Sequence, residues 1–86
     1  MDEATQLHRL FLQPAIYRIR VCGRLDPQWS ERLSGMTLTV KEEEGGLVTT
    51  ELTGRLPDQA ALMGVLQQLY LILAPLISME YVRTCP

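Results

Sequence analysis

The sequence predicts an α+β protein in which one long helix lies on a four-stranded antiparallel sheet. Between Pro57 and Pro75, large apolar residues recur at intervals of three and four, which is the period of a helix buried along one face. Four shorter segments alternate apolar and polar residues, which is the period of a half-buried strand. Glycines, prolines and acidic residues that suit turns and helix caps separate these segments.

The helix is predicted over residues 58–74. Asp58 suits the N-cap, and Pro75 cannot continue a helix because it has no amide donor. We expect one apolar stripe to be buried: Leu62, Val65, Leu66, Leu69, Ile72 and Leu73. No charged residue occurs from Gln59 to Met79. Three large side chains lie outside the stripe: Met63, Tyr70 and Leu71. The helix is therefore predicted to carry a second, exposed apolar face.

The predicted strands span residues 16–22, 36–40, 47–54 and 76–83. Asp26 and Pro27 suit the start of a short helix, in which we expect Trp29 to complete the core. The resulting order is the βαββαβ order of ferredoxin-like folds, with a shortened first helix. A βββαβ meander is the alternative, because about ten residues is short for a crossover between parallel strands.

The apolar side chains of all four strands are predicted to lie under the helix, which leaves the opposite face of the sheet polar. The outward residues would be Arg18, Arg20, Thr37, Thr39, Lys41, Thr49, Glu51, Thr53, Ser78 and Glu80. RNA-binding domains with this strand order display aromatic residues on that face. Threonine, arginine and glutamate occupy it here, so the pattern argues against RNA recognition.

Residues 1–15 are predicted to be an N-terminal amphipathic arm, and residues 16–86 a single α+β domain. Leu7, Leu10 and Phe11 have helical spacing, so the arm either covers the core of its own chain or is exchanged with a second subunit. A chain of 86 residues is near the size at which one core is only just sufficient. Self-association would relieve that shortage.

Charge and composition exclude several classes of partner. The net charge is -2 and the eight basic residues are scattered, so we expect no nucleic acid partner. No stretch approaches the roughly 20 apolar residues that span a bilayer. The first residues do not resemble a secretion signal. We therefore expect a cytoplasmic protein, in which Cys22 and Cys85 are free thiols at opposite ends of the sheet.

No catalytic or metal-binding constellation can be assembled from the sequence. His8 is the single histidine. Glu42, Glu43 and Glu44 are consecutive, so in an extended segment they point to alternate sides and do not surround a calcium ion. Cys22 lies near two arginines but lacks a second catalytic partner. We predict no catalytic residue, no metal and no cofactor, and we expect a non-enzymatic protein.

The chain resembles a recurrent type of small bacterial protein. The resemblance rests on three segments: GRLDPQWSERLSGMTLTV, TTELTGRLPDQAALMGVLQQL and LAPLIS. Its most specific part is DQAAL at residues 58–62. The resemblance implies the fold and a bacterial cytoplasm, but no reaction. This chain departs from the pattern at residues 70–72, where the relatives tend to be charged, and at Met63, where they often have histidine. Both departures add apolar surface to the outer side of the helix.

The functional prediction is a binding or assembly module that forms a homodimer or docks on another protein. Its partner surface would be Met63, Tyr70 and Leu71, on the outer face of the helix. Contiguous exposed apolar surface of this kind usually marks an interaction site. The alternative is a ligand-binding or enzymatic dimer with a pocket on the polar sheet face. That pocket would be lined by Arg18, Arg20 and Glu80.

Overall fold

The structure is a computed structural model, and it describes Arg9 and residues 12–85. The four strands are β1 (Ala15–Cys22), β2 (Thr37–Glu42), β3 (Val48–Leu56) and β4 (Leu76–Thr84). Helix α1 (Gln59–Leu71) connects β3 to β4, and a 3₁₀ helix (Pro27–Leu33) connects β1 to β2. A second 3₁₀ turn (Glu44–Gly46) closes the β2–β3 hairpin. Most of the predicted N-terminal arm lies outside the described residues.

The strands form one antiparallel sheet in the order β2-β3-β1-β4. This is the predicted ferredoxin-like order. The βββαβ meander is excluded, because β1 and β2 are not neighbours. The first helix is indeed short. The Asp26 carboxylate caps it by accepting a hydrogen bond from the Gln28 amide at 2.9 Å, and Pro27 follows the cap. Trp29 is half-buried and packs against the core, as the sequence predicts.

The core lies between one face of the sheet and α1. Along β1, fully buried residues alternate with half-buried ones, as the period of the sequence predicts. The buried apolar residues are Ala15, Tyr17, Ile19, Val21, Leu33, Met36, Leu38, Leu52, Leu56, Leu62, Val65 and Leu69. At Gly54 on β3, a β-carbon would lie 3.2 Å from the Met36 Cα, so the start of β2 packs directly on backbone. The described part of the chain therefore has one core, to which β4 contributes no fully buried side chain.

Helix α1 lies to one side of the sheet. The Asp58 carboxylate caps it as predicted, accepting a hydrogen bond from the Ala61 amide at 2.8 Å. Its main contacts are with β3 and the Pro27–Leu33 3₁₀ helix. The prediction that α1 also covers the apolar side chains of β4 is wrong, because the three residues expected beneath it, Ile77, Met79 and Tyr81, are exposed. A 3₁₀ helix of seven residues fills less space than a full first helix, so α1 packs against it and leaves β4 bare.

Helix α1 ends earlier than predicted, at Leu71 rather than at residue 74. Leu73 has a φ of 60°, in the left-handed region. The Leu73 amide donates to the Tyr70 carbonyl at 3.0 Å, and the Ala74 amide donates to the Leu69 carbonyl at 3.0 Å. These two bonds form a Schellman motif, which turns the chain out of the helix. The expectation that Leu73 is buried is therefore wrong, because it no longer follows the helical period.

Two further expectations concern the polar face and the thiols. Thr49 was expected to face solvent, but it is buried, and its hydroxyl bonds the Glu43 carboxylate at 3.3 Å. Cys22 and Cys85 are free thiols. The Cys22 amide donates a hydrogen bond to the carbonyl of Pro75, just before β4, at 2.8 Å. The Cys85 amide donates to the carbonyl of Pro14, just before β1, at 2.9 Å. The two cysteines lie at opposite ends of the sheet, as the strand order predicts.

Candidate functional site

A groove lies between the C-terminal end of α1 and the beginning of β4. It has a volume of about 440 Å³. Its walls are Leu66, Leu69, Tyr70, Leu73, Ala74, Pro75 and Leu76. No charged side chain lines it. We call this cleft the α1–β4 groove, and its open, apolar walls make it the candidate site for binding another apolar surface.

The apolar surface continues from the groove along β4. Met79 pairs with Ile19 and Tyr81 pairs with Tyr17, so both side chains lie on the face of the sheet that carries the core. Both are nevertheless exposed, as are Leu76 and Ile77. No helix covers that part of the sheet among the described residues, because α1 packs against β3 and the Pro27–Leu33 3₁₀ helix instead. The helix-side face of β4 is therefore an extension of the groove.

The three predicted partner-surface residues are all exposed, but they do not form one patch. Tyr70 is 77% exposed and lines the groove. Met63 is 59% exposed and lies seven residues earlier, so it is on the same flank of α1. Leu71 is 63% exposed and lies about 100° further round the helix, which points it away from the groove. The structure thus brings Tyr70 and Met63 together and leaves Leu71 on the opposite side from the core.

Sequence reasoning missed Leu73, Leu76, Met79 and Tyr81 as part of this surface. Leu73 is 84% exposed and stands at the rim of the groove. Ile77, Met79 and Tyr81 have the alternation of a half-buried strand, which identifies their face but not whether anything covers it. A register shift between Ser78 and Leu76 brings Leu76 opposite the buried Val21, outside that alternation. The available signal was the first helix, which the sequence already predicted to be short.

Two tyrosines meet at the other end of β4. The rings of Tyr17 and Tyr81 have centroids 5.4 Å apart and are perpendicular, which is a favourable edge-to-face arrangement. The hydroxyl of Tyr81 bonds the hydroxyl of Thr84. The buried hydroxyl of Tyr17 has no hydrogen-bond partner within the described residues. This end of the helix-side face therefore combines aromatic surface with one buried polar atom.

The polar face of the sheet carries a network of ion pairs. Arg18 lies 3.0 Å from the Glu80 carboxylate and 3.5 Å from that of Glu51. Lys41 donates a hydrogen bond to Glu51 at 2.9 Å. Arg20 pairs with Glu43. This hydrogen bond from Lys41, with the charges of Lys41 and Arg18 and a hydrogen bond from Thr53, lowers the pKa of Glu51 despite partial desolvation.

The alternative pocket of Arg18, Arg20 and Glu80 is therefore neutralised internally. Each of the two guanidinium groups already faces a carboxylate of its own sheet. Cavities among the described residues lie elsewhere. Besides the α1–β4 groove, one cleft is lined by Arg24, Leu25, Asp26, Pro27 and Val40, and a smaller one by Asp26, Gln28, Trp29 and Arg32. In that cleft the Arg32 guanidinium stacks 5.3 Å from the Trp29 ring, and Asp26 serves as the helix cap.

Among the described residues, no group of three or more His, Cys, Asp or Glu side chains is placed to hold a metal ion. No helix in that part of the chain is both long enough and apolar enough to cross a bilayer.

Comparison with known proteins gives a family. Residues 16–80 match the family model described as "Domain of unknown function (DUF8691)". The chain belongs to this family. The DUF8691 region runs from β1 into β4, so it contains all of α1 and every residue of the α1–β4 groove. No curated protein and no solved structure matches the chain.

Proposed function

We propose that this DUF8691 protein is a non-enzymatic binding or assembly module that self-associates, as a homodimer, through the α1–β4 groove and the helix-side face of β4. The observation that carries the proposal is the bare apolar face of β4, continuous with an uncharged groove. Resemblance to small bacterial proteins supports a role in the bacterial cytoplasm.

The size of the exposed surface supports an assembled state. Contiguous apolar patches of several hundred Å² on a small protein usually mark interaction sites. Seven exposed residues form or flank this surface: Met63, Tyr70, Leu73, Leu76, Ile77, Met79 and Tyr81. Whole aromatic side chains present about 150–250 Å² each. Counted at about 150 Å² each, the lower end of that range, and scaled by their exposed fractions, the seven together present on the order of 600 Å², which approaches the roughly 800 Å² per partner of a standard specific interface.

The small core gives a second reason for assembly. Twelve apolar side chains are buried in the described residues, and none of them belongs to β4. Burying a leucine or methionine side chain fully stabilises by about 1.5–3 kcal/mol relative to leaving it exposed. A dimer that covers β4 would therefore supply the part of the core that the shortened first helix does not.

The alternative, a ligand-binding or enzymatic dimer with a pocket on the polar sheet face, has less support. A pocket there would need Arg18 or Arg20 to face a ligand. Their ion pairs with Glu80 and Glu43 would have to be broken first. The groove needs no such rearrangement, because its apolar walls are already exposed.

Molecular mass in solution tests the proposal. We expect a dimer at micromolar concentration in sedimentation equilibrium, and we expect Tyr70→Glu to shift it to monomer, because a carboxylate would be buried in an uncharged groove. Gln68→Glu is the matched control: it adds the same charge to an exposed position of the same helix, outside the groove. A wild-type monomer would refute self-association, and so would a Tyr70→Glu protein that dimerises as well as Gln68→Glu.

A further inference from the structure

We infer that Leu73 is the anchor of the dimer, and that Leu73 of each copy seats in the α1–β4 groove of the other. This inference rests on the proposed function and adds the residue and the geometry of contact. It starts from a conflict at the end of α1. Leu73 is both the most exposed large apolar residue described and one of two non-glycine residues there with positive φ.

The backbone at Leu73 is strained. A left-handed conformation crowds the β-carbon of an L-residue against the next carbonyl, so the C′ position of a Schellman motif is usually glycine or asparagine. Here it is leucine, at a φ of 60°. Leucine gains nothing from the intrachain core in return, since its side chain is 84% exposed. The two hydrogen bonds of the Schellman motif hold this backbone, but the exposed Leu73 side chain adds no core contact that would favour leucine over glycine here. An outlier of this kind, kept with a large apolar side chain, points to a contact outside the chain.

The position of Leu73 suits contact with a second copy. It stands on the rim of the groove whose other walls are Leu66, Tyr70 and Leu76. A projecting apolar side chain and an apolar cleft thus lie side by side on one surface. Two-fold symmetry requires such self-complementarity, because each patch must serve as both halves of the interface.

Charge also favours a second copy over a different partner. The chain carries no charged residue from Gln59 to Met79, which includes the whole groove. Two identical grooves can therefore meet without facing like charges. A partner recognised through opposite charge would need charged residues around the groove, and no charged residue lines it.

Three variants at Leu73 test the inference. Leu73→Gly removes both the side chain and the strain, and we expect it to weaken dimerisation at least tenfold while making the fold more stable. Leu73→Ala removes most of the side chain but keeps the strained backbone, so we expect the same weakening without the gain in stability. Leu73→Asn keeps a side chain that tolerates positive φ and should resemble glycine. Sedimentation equilibrium gives the dissociation constants.

The stability measurement separates an anchor from a structural residue. It is made in the Tyr70→Glu background, so that the protein is monomeric. Adding Leu73→Gly there should raise the melting temperature by roughly 2–6 °C, since relief of left-handed strain outweighs the added freedom of the unfolded chain. Leu47→Ala is the control, because Leu47 is a 48%-exposed leucine on the distant β2–β3 hairpin. It should change neither quantity.

The outcomes are distinguishable from failure of the proposed function. If the wild type dimerises and Tyr70→Glu disrupts it, but Leu73→Gly leaves the dissociation constant unchanged, the anchor role is overturned and self-association stands. A fall in melting temperature on adding Leu73→Gly would also overturn it, because Leu73 would then stabilise its own chain. A wild-type monomer removes the proposed function itself.

Discussion

The most quantitative prediction about the fold concerns the hydrogen bonds of Thr50. This buried residue of β3 donates a hydrogen bond from its hydroxyl to the Gly23 carbonyl at 2.8 Å. The same hydroxyl accepts a hydrogen bond from the Leu25 amide at 2.9 Å. One side chain thus satisfies two backbone groups in the segment that leaves β1. Thr50→Val has nearly the same shape and suits a strand, so its effect isolates the loss of the hydroxyl.

The expected cost follows from the two backbone groups left unpaired. A buried polar group that loses its partner costs about 1–3 kcal/mol. Gly23 and Leu25 are only half-buried, so water can reach them in part, and we expect a total of about 1–3 kcal/mol rather than twice that. In a domain of this size that corresponds to a fall in melting temperature of roughly 5–20 °C.

Urea denaturation followed by Trp29 fluorescence measures this change, since Trp29 packs on the core next to the affected segment. The matched control is Thr39→Val, which makes the same chemical change at an exposed position of β2. We expect the control to lie within about 0.5 kcal/mol of wild type. Equal stability of the two variants would show that the Thr50 bonds do not fix the Gly23–Leu25 segment.

Two further predictions concern the sheet. Lys41→Met should lower stability by about 0.2–1 kcal/mol at pH 7. Because Lys41 lowers the pKa of Glu51 in the folded protein, that difference is fully present above the ordinary pKa of 4.5 and should shrink as the pH falls through the lowered pKa and Glu51 is protonated. A difference that does not shrink with falling pH would contradict the role of this pair. Gly54→Ala should destabilise by about 1–3 kcal/mol in denaturant, since the new β-carbon lies 3.2 Å from the Met36 Cα. Unchanged stability would mean that the start of β2 yields without cost.

The strand order could be predicted from the sequence because each element carries its own signal. Alternation identified the strands, and Asp58 and Asp26 marked the helix starts that the structure confirms. Alternation also identified the correct face of Met79 and Tyr81. It could not show that this face is uncovered. Coverage depends on where α1 lies across the sheet, and that position is set by packing against another element.

Leu73 shows a second limit of sequence reasoning. Leucine continues the helical period up to Pro75, and no glycine marks a C-cap. A pattern of residue types therefore predicts one more buried turn of helix. The structure ends the helix three residues earlier, at Leu71, and follows it with a left-handed leucine at residue 73, against local preference. Residue preferences predict the common backbone conformations. The rare left-handed conformation of Leu73 could therefore be found only from the structure.

The exposed strand and the strained leucine have a common origin in the shortened first helix. A full helix between β1 and β2 would occupy the space beside α1 and shift α1 across the sheet toward β4. The groove would then close, and Leu73 would lie over Leu76 within one chain. With only the Pro27–Leu33 3₁₀ helix in that place, α1 rests against β3, and the end of α1 overhangs an empty part of the sheet. The uncovered part of the sheet is about as wide as one helix. In the dimer that we propose, α1 of the second copy lies beside it. The short first helix therefore leaves exposed the apolar surface through which we propose that two copies associate.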